Sequence, residues 1–203
     1  VAELISDKLP VTLWLAALAF IIIIVVSIPL GVLWAGSKSR ILDGIIGFLT
    51  QLSMAVPSFF LGIIITYIFG IILKVFTPGS YISYKDNFIG FIGYLIFPAI
   101  SIAIPKIAMI ARFLRNSMLE QMNSDYVRTA YSKGCTRKRA LFVHALKNAM
   151  MPVLTVIGMV IAEIVAGSIV VEQVFGLPGI GRLLISSIST RDLPVVEILV
   201  LYI

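Results

Sequence analysis

Polar and apolar positions alternate along this chain in long blocks. No Asp, Glu, Lys or Arg occurs in 11–37, 44–73 or 88–104, and Glu163 is the only such residue in 150–171. A helix of about 20 residues crosses a hydrocarbon core ~30 Å thick, so each block has the length of a membrane span. The blocks predict spans over 11–36, 44–73, 88–111 and 150–171, and a fifth over 194–203 that the chain does not complete. Pro57, in SMAVPSFFLG, predicts a kink within the second span, since proline removes a donor and crowds the preceding turn. Residues 74–87 carry the Pro, Gly, Ser and Tyr of an interfacial loop. The expected fold class is all-α: one polytopic membrane domain of about five transmembrane helices.

Composition narrows the class further. The chain is 60% hydrophobic and 13% charged, with a mean hydropathy of +1.07, values that exclude an ordinary soluble domain. Its formal charge of +6 is what cytoplasmic membrane loops carry by default and needs no nucleic-acid partner. The single cysteine, Cys135, excludes an internal disulfide and offers no metal-site spacing. The sequence starts VAELISDKLP and stops in an apolar run at Tyr202 and Ile203, which predicts a piece of a longer chain.

The main exception to the oil is a polar island from Arg112 to Pro152. It holds Arg112, Arg115, Arg128, Lys133, Arg137, Lys138, Arg139 and Lys147, eight of the chain's 16 Lys and Arg residues. With Lys38 and Arg40 of the first hinge, one side of the membrane carries ten cations against Asp43, Glu120 and Asp125. The other side carries Lys74, Lys85, Arg182 and Arg191 against Asp86, Glu172 and Asp192. This bias places the island in the cytoplasm.

The island's internal signals predict two short helices. Ser124 is placed to cap a helix through about Lys133, Gly134 to stop it in the left-handed conformation, and Thr136 to cap a second helix of Arg137 to Ala149. In the second helix Leu141, Ala145 and Asn148 share a face, while Arg137, Arg139 and Lys147 lie elsewhere. A basic helix-turn-helix could in principle neutralise DNA phosphates, but both ends of this one run straight into membrane spans, which denies a recognition helix access to a groove. The remaining readings are a docking knob for a cytoplasmic protein and a solvated loop that obeys the positive-inside rule.

At this point a family resemblance becomes specific. DYVRTAYSKGCTRKRALFVHALKNAMMPVLTVIG, Asp125 to Gly158, resembles the coupling loop of ATP-binding-cassette importer permeases, in the branch serving oligopeptides, dipeptides, glutathione and nickel. Ala130, three residues, Gly134 and the later Pro152 carry its pattern; Arg128 and Thr129 stand where many permeases outside the branch have Glu and Ala. AVPSFFLG, FPAISIAI, ARFLRNSMLE, VVEQVFGLPGIGRLL and RDLPVVE are similar to stretches of the same permeases in the same order. The similarity runs from about Leu9 to the end.

The resemblance implies a permease subunit that forms a translocation path for a peptide or similar small solute. It pairs with a homologous second permease subunit, two cytoplasmic ATP-binding subunits and an extracytoplasmic substrate-binding protein, within the bacterial or archaeal inner membrane. A coupling loop over about 116–149 would then seat in a groove of an ATPase. Asp125, Tyr126, Val127, Arg128, Ala130, Lys133 and Gly134 are the residues expected to do so, the small Ala130 and Gly134 allowing close approach. Gly134 as a helix stop alone, and the cations as solvated charge, remain open. No cofactor is implied.

For the path, Glu163 lies 12 residues past Met151, about 18 Å along a helix and near mid-membrane. A carboxylate there is costly to expose to lipid, so it either lines the path or is satisfied structurally within the bundle. Ser53, Pro57 and Ser58 are further path candidates, with helix packing as the plainer explanation. The glycines of EQVFGLPGIGRLL lack the spacing and the following Lys-Ser or Lys-Thr of a phosphate loop, and instead read as an outer scoop that meets the binding protein. One His, one Cys and scattered acids furnish no triad, zinc site or acid pair, so the chain is not expected to be an enzyme. A self-contained channel or secondary transporter is the alternative; neither the inverted repeats nor the charge rings it calls for are evident.

Overall fold

The computed structural model describes Ala2–Tyr202, and every regular element among the described residues is helical. Among the described residues eight helices follow one another: α1 (Ala2–Gly36), α2 (Arg40–Ala55), α3 (Ser58–Ile72, with a π-helical second half Thr66–Ile72), α4 (Phe88–Met122), α5 (Asp125–Ser132), α6 (Arg137–Phe175, with a π-helical turn Ala140–Ala145), α7 (Ile180–Thr190) and α8 (Leu193–Tyr202). Among the described residues, three helices alone are long and apolar enough to cross a membrane: Leu4–Gly36, Phe88–Met122 and Arg137–Phe175. The broken pair α2 and α3 makes a fourth if counted as one span. The break falls at Pro57, which is extended (φ −62, ψ 144) and begins α3, whereas Pro152 lies inside α6 without ending it. Pro10 and Pro29 of α1 and Pro98 and Pro105 of α4 likewise lie inside their helices, as neighbouring helices allow when they cover the carbonyl that a proline frees.

The three long helices exceed what a bilayer needs. At 1.5 Å per residue, 35 residues reach about 52 Å against a ~30 Å core, so their ends project into the polar zone. This changes the description of the polar island. Its first third is the projecting end of α4, and its last third is the start of α6, so the segment expected as a separate second helix, Arg137 to Ala149, is the base of a 39-residue helix. Only α5, eight residues long, stands apart from the spans.

The chain forms two compact units. The first comprises residues 1–22, 56–104 and 161–203. Its interior includes Leu15, Ala19, Phe91, Leu95, Ala99, Ile102, Val171, Phe175 and Leu177, all buried. A second cluster, Ile5, Ile180, Leu184, Val195 and Leu199, packs the start of α1 against α7 and α8. The 74–87 loop is fastened at its centre: Tyr94 Oη donates to Phe175 O (2.7 Å) and accepts from Gly79 N (3.0 Å), while Phe76 stacks on Phe97 with centroids 4.3 Å apart.

The second unit comprises residues 23–55 and 105–160. Its core lines up Ile110, Ala111, Leu114 and Met118 of α4 with Ala145, Ala149 and Val153 of α6. Gly31 of α1 sits where a Cβ would come within 2.9 Å of Ala111 O and 3.1 Å of Leu114, so only glycine lets α1 approach α4 this closely. The hinge between α1 and α2 is tied to α4 through one carboxylate. Asp43 Oδ1 accepts from Trp34 Nε1 (2.7 Å) and from Arg115 (2.6 Å), and the Arg115 guanidinium lies 5.0 Å from the centre of the Trp34 ring.

Candidate functional site

The sequence expectation centred on α5, and the local chemistry explains its position. α5 is amphipathic, and Val127 is its single buried residue. That side chain is fully enclosed and holds the helix onto the unit's core. The start is capped by backbone alone: Ser124 O accepts from Val127 N and Arg128 N, while the Ser124 hydroxyl turns back to Gln121 O (2.6 Å) and caps nothing. The end is a Schellman stop. Gly134 has φ +81, its N–H reaches Tyr131 O (2.9 Å), and Cys135 N reaches Ala130 O (3.0 Å). Thr136 then accepts from Arg139 N through its hydroxyl (3.4 Å) and starts α6.

Between the exposed side of α5 and the base of α6 lies an open cleft of about 450 Å³. Four of the seven expected docking residues line it: Tyr126, Ala130, Lys133 and Gly134. The other three do not. Val127 points inward as the anchor. Asp125 and Arg128 pair with each other at 3.4 Å on a solvated surface, with side-chain exposures of 96% and 75%, so the pair adds little stability. A Cβ at Gly134 would meet nothing within 4 Å; its glycine is required by its backbone angle, not by crowding within this chain.

Thr129, Cys135, Arg139 and His144 complete the lining, and sequence reasoning had no role for them in the cleft. His144 is the instructive miss. In a regular α-helix it would sit about 140° around from Arg139, at ~100° per residue. The π-helical turn Ala140–Ala145 takes in an extra residue and swings His144 onto the Arg139 side. No residue type announces a π turn in advance.

The path candidates divide differently. Glu163 lies on an exposed face of α6. Pro57 is exposed and Ser58 half-buried at the start of α3, while Ser53, in the other unit, donates to Leu49 O (2.8 Å) within its own helix. In the glycine-rich stretch the organising group is Glu172, which is fully buried. Its Oε1 accepts from the Thr12 hydroxyl (2.6 Å), and its Oε2 accepts from Gly181 N (2.8 Å) and Arg182 N (3.2 Å) at the start of α7. Ile180 N in turn donates to Thr12 Oγ1 (2.9 Å). A Cβ on Gly179 would collide with this carboxylate, and one on Gly181 with the Ile169 backbone. The signal was present in the sequence as a glutamate followed by two glycines at fixed distance, and it is mechanical: a carboxylate occupies the amide groups at a helix start.

Among the described residues, no group of three or more His, Cys, Asp or Glu side chains is arranged to hold a metal ion.

Comparison with known proteins follows the same lines. The family described as binding-protein-dependent transport system inner membrane component matches residues 27–203. A Brucella abortus (strain 2308) protein whose name assigns it provisionally as a peptide transport system permease is 43% identical over 197 residues, covering 97% of this chain and 63% of the relative. The oligopeptide transport system permease protein AppB of Bacillus subtilis (strain 168) is 39% identical over 198 residues, again 97% and 63%. The dipeptide transport system permease protein DppB of Lactococcus lactis subsp. cremoris (strain MG1363) is 35% identical over 196 residues, 97% and 62%. The chain thus spans a little under two thirds of the length of these relatives.

Proposed function

The chain belongs to the family of binding-protein-dependent transport system inner membrane components, and on that premise we propose that it is the translocating, ATPase-coupled part of an importer for peptides or similar small solutes. The observation that carries the reading is α5. It is a short amphipathic helix set outside the long apolar helices, held by Val127, and its wet side opens a cleft edged by Tyr126, Ala130, Lys133 and Gly134.

In this reading a cytoplasmic ATP-binding subunit seats against that cleft, with Lys133 and Arg139 answering acidic groups and Ala130 leaving room for contact. ATP hydrolysis belongs to the two ATP-binding subunits and not to this chain. A homologous permease subunit completes the path, and an extracytoplasmic binding protein delivers the solute. Nucleotide binding stabilises one arrangement of the ATPase pair; a helix held in its groove makes the spans share that preference, which is all that coupling demands. Glu163, Pro57 and Ser58, with Ser53, belong to the solute path. Peptide specificity is supported by the names of the relatives, each a peptide, oligopeptide or dipeptide permease.

The test is assembly and transport by the intact protein with its partner subunits in proteoliposomes. Ala130→Trp is expected to abolish ATP-driven uptake and weaken ATPase co-purification while membrane insertion stays normal. Uptake that persists without any ATPase would overturn the reading in favour of a self-contained channel or secondary transporter.

A further inference from the structure

A second open cavity, about 600 Å³, lies where the end of α1 meets the base of α6 and shares no lining residue with the coupling cleft. Its walls combine two chemistries. Val32, Leu33, Leu141 and Phe142 supply an apolar surface, and Lys38, Arg137 and Lys138 supply three cations. No acidic side chain lines it. Among the described residues, none of the three cations has a carboxylate partner. Gly36 also lines the cavity, and a Cβ there would come within 3.2 Å of Leu141 Cδ2.

We propose that this cavity binds one anionic phospholipid, with its phosphate between Lys38, Arg137 and Lys138 and the upper part of an acyl chain along Leu33 and Phe142. Charge complementarity selects an anion, because three uncompensated cations surround one opening. The apolar wall selects a lipid over a soluble anion. Leu33 and Phe142 remain 69% and 43% exposed, and α1 is a span-length helix that ends at Gly36, so this wall lies at the level where acyl chains meet head groups. The size is right as well, since small-ligand cavities run from ~300 to ~1,000 Å³. A soluble acidic protein would answer the cations and leave Leu33 and Phe142 uncovered.

The proposal is independent of coupling and is read without ATP. Intact protein with its partner subunits, in zwitterionic nanodiscs, is titrated with phosphatidylglycerol, and bound lipid is counted by native mass spectrometry. Phosphatidylglycerol is expected to bind in preference to phosphatidylcholine. Each of Lys38→Gln, Arg137→Gln and Lys138→Gln should weaken it roughly fivefold, and the triple variant on the order of a hundredfold. Leu33→Asn should lower lipid retention and leave any binding of inorganic phosphate unchanged. All four side chains are exposed, and an unaltered thermal unfolding profile serves as the folding control. The proposal is overturned if the triple variant keeps the phosphatidylglycerol preference. It is equally overturned if inorganic phosphate competes at the same concentration as the lipid and Leu33→Asn changes nothing, which would leave a simple anion site.

Discussion

The Thr12 hydroxyl donates to the buried Glu172 carboxylate at 2.6 Å across 160 residues of sequence. Thr12 simultaneously accepts from Ile180 N, so one hydroxyl joins α1, α6 and the start of α7. Removing it leaves both a buried amide and a buried carboxylate oxygen short of a partner. Thr12→Val is therefore expected to destabilise the first unit by about 1–3 kcal/mol. Glu172→Ala, which orphans three donors at once, should cost more, at about 1–3 kcal/mol for each donor left buried without a partner. Because the two act through one network, the double variant should fall well short of the sum. Thermal unfolding in detergent, with limited proteolysis across 176–191, measures this; additive losses would show that the two residues act separately.

Gly134 distinguishes a helix stop from a contact surface. Its φ of +81 lies where side chains with a Cβ are strained, yet a Cβ there meets nothing. Asn tolerates this region better than β-branched residues do. Gly134→Asn should thus keep α5 intact, while Gly134→Val should cost about 1–2 kcal/mol and fray it. If the cleft receives an ATPase, Gly134→Asn will still impair ATP-driven uptake through its added bulk. Normal uptake by the Asn variant, with helicity unchanged by circular dichroism, would reduce Gly134 to a stop.

Gly31 makes the opposite case, in which crowding decides. A Cβ at this position lies 2.9 Å from a backbone oxygen of α4, and a backbone cannot rotate away as a side chain can. Gly31→Ala is expected to cost about 1–3 kcal/mol through overpacking, and Gly31→Leu to separate the two helices. Disulfide trapping between cysteines placed at exposed flanking positions of α1 and α4 reports the separation.

Glu163 tests the path. With its carboxylate on an exposed face of a span-length helix, Glu163→Gln should alter uptake rate or solute preference while assembly and ATPase activity persist. Unchanged transport with unchanged preference removes it from the path.

The long apolar helices were legible because hydrophobic length is a strong and local signal: the uncharged run 88–104 lies within α4, and all but the last residue of the run 11–37 lies within α1. The limits of α5 were legible too, since Gly134 marks a backbone angle that few other residues accept. What escaped was tertiary. Val127 reads as a docking residue from sequence because an amphipathic octapeptide shows that it has an apolar side but not whether that side meets the chain's own core or a partner protein. The polar island reads as two short helices and a turn because Ser124, Gly134 and Thr136 supply caps and a stop, and no residue marks that the second helix, from Arg137, continues without a break into the span as far as Phe175. Glu172 read as an outer-loop acid, since its partner Thr12 is far away in the sequence.

Helices of eight residues are too short to persist alone in water, where about 12–15 are needed even for favourable sequences. The fold of α5 is therefore on loan from a single enclosed valine. Its amide protons should exchange by local opening long before those of α4 or α6, and anything that fills the neighbouring cleft should slow them. Hydrogen exchange at 125–132 thus gives an internal clock for occupancy, readable on unlabelled protein and without knowledge of the transported solute.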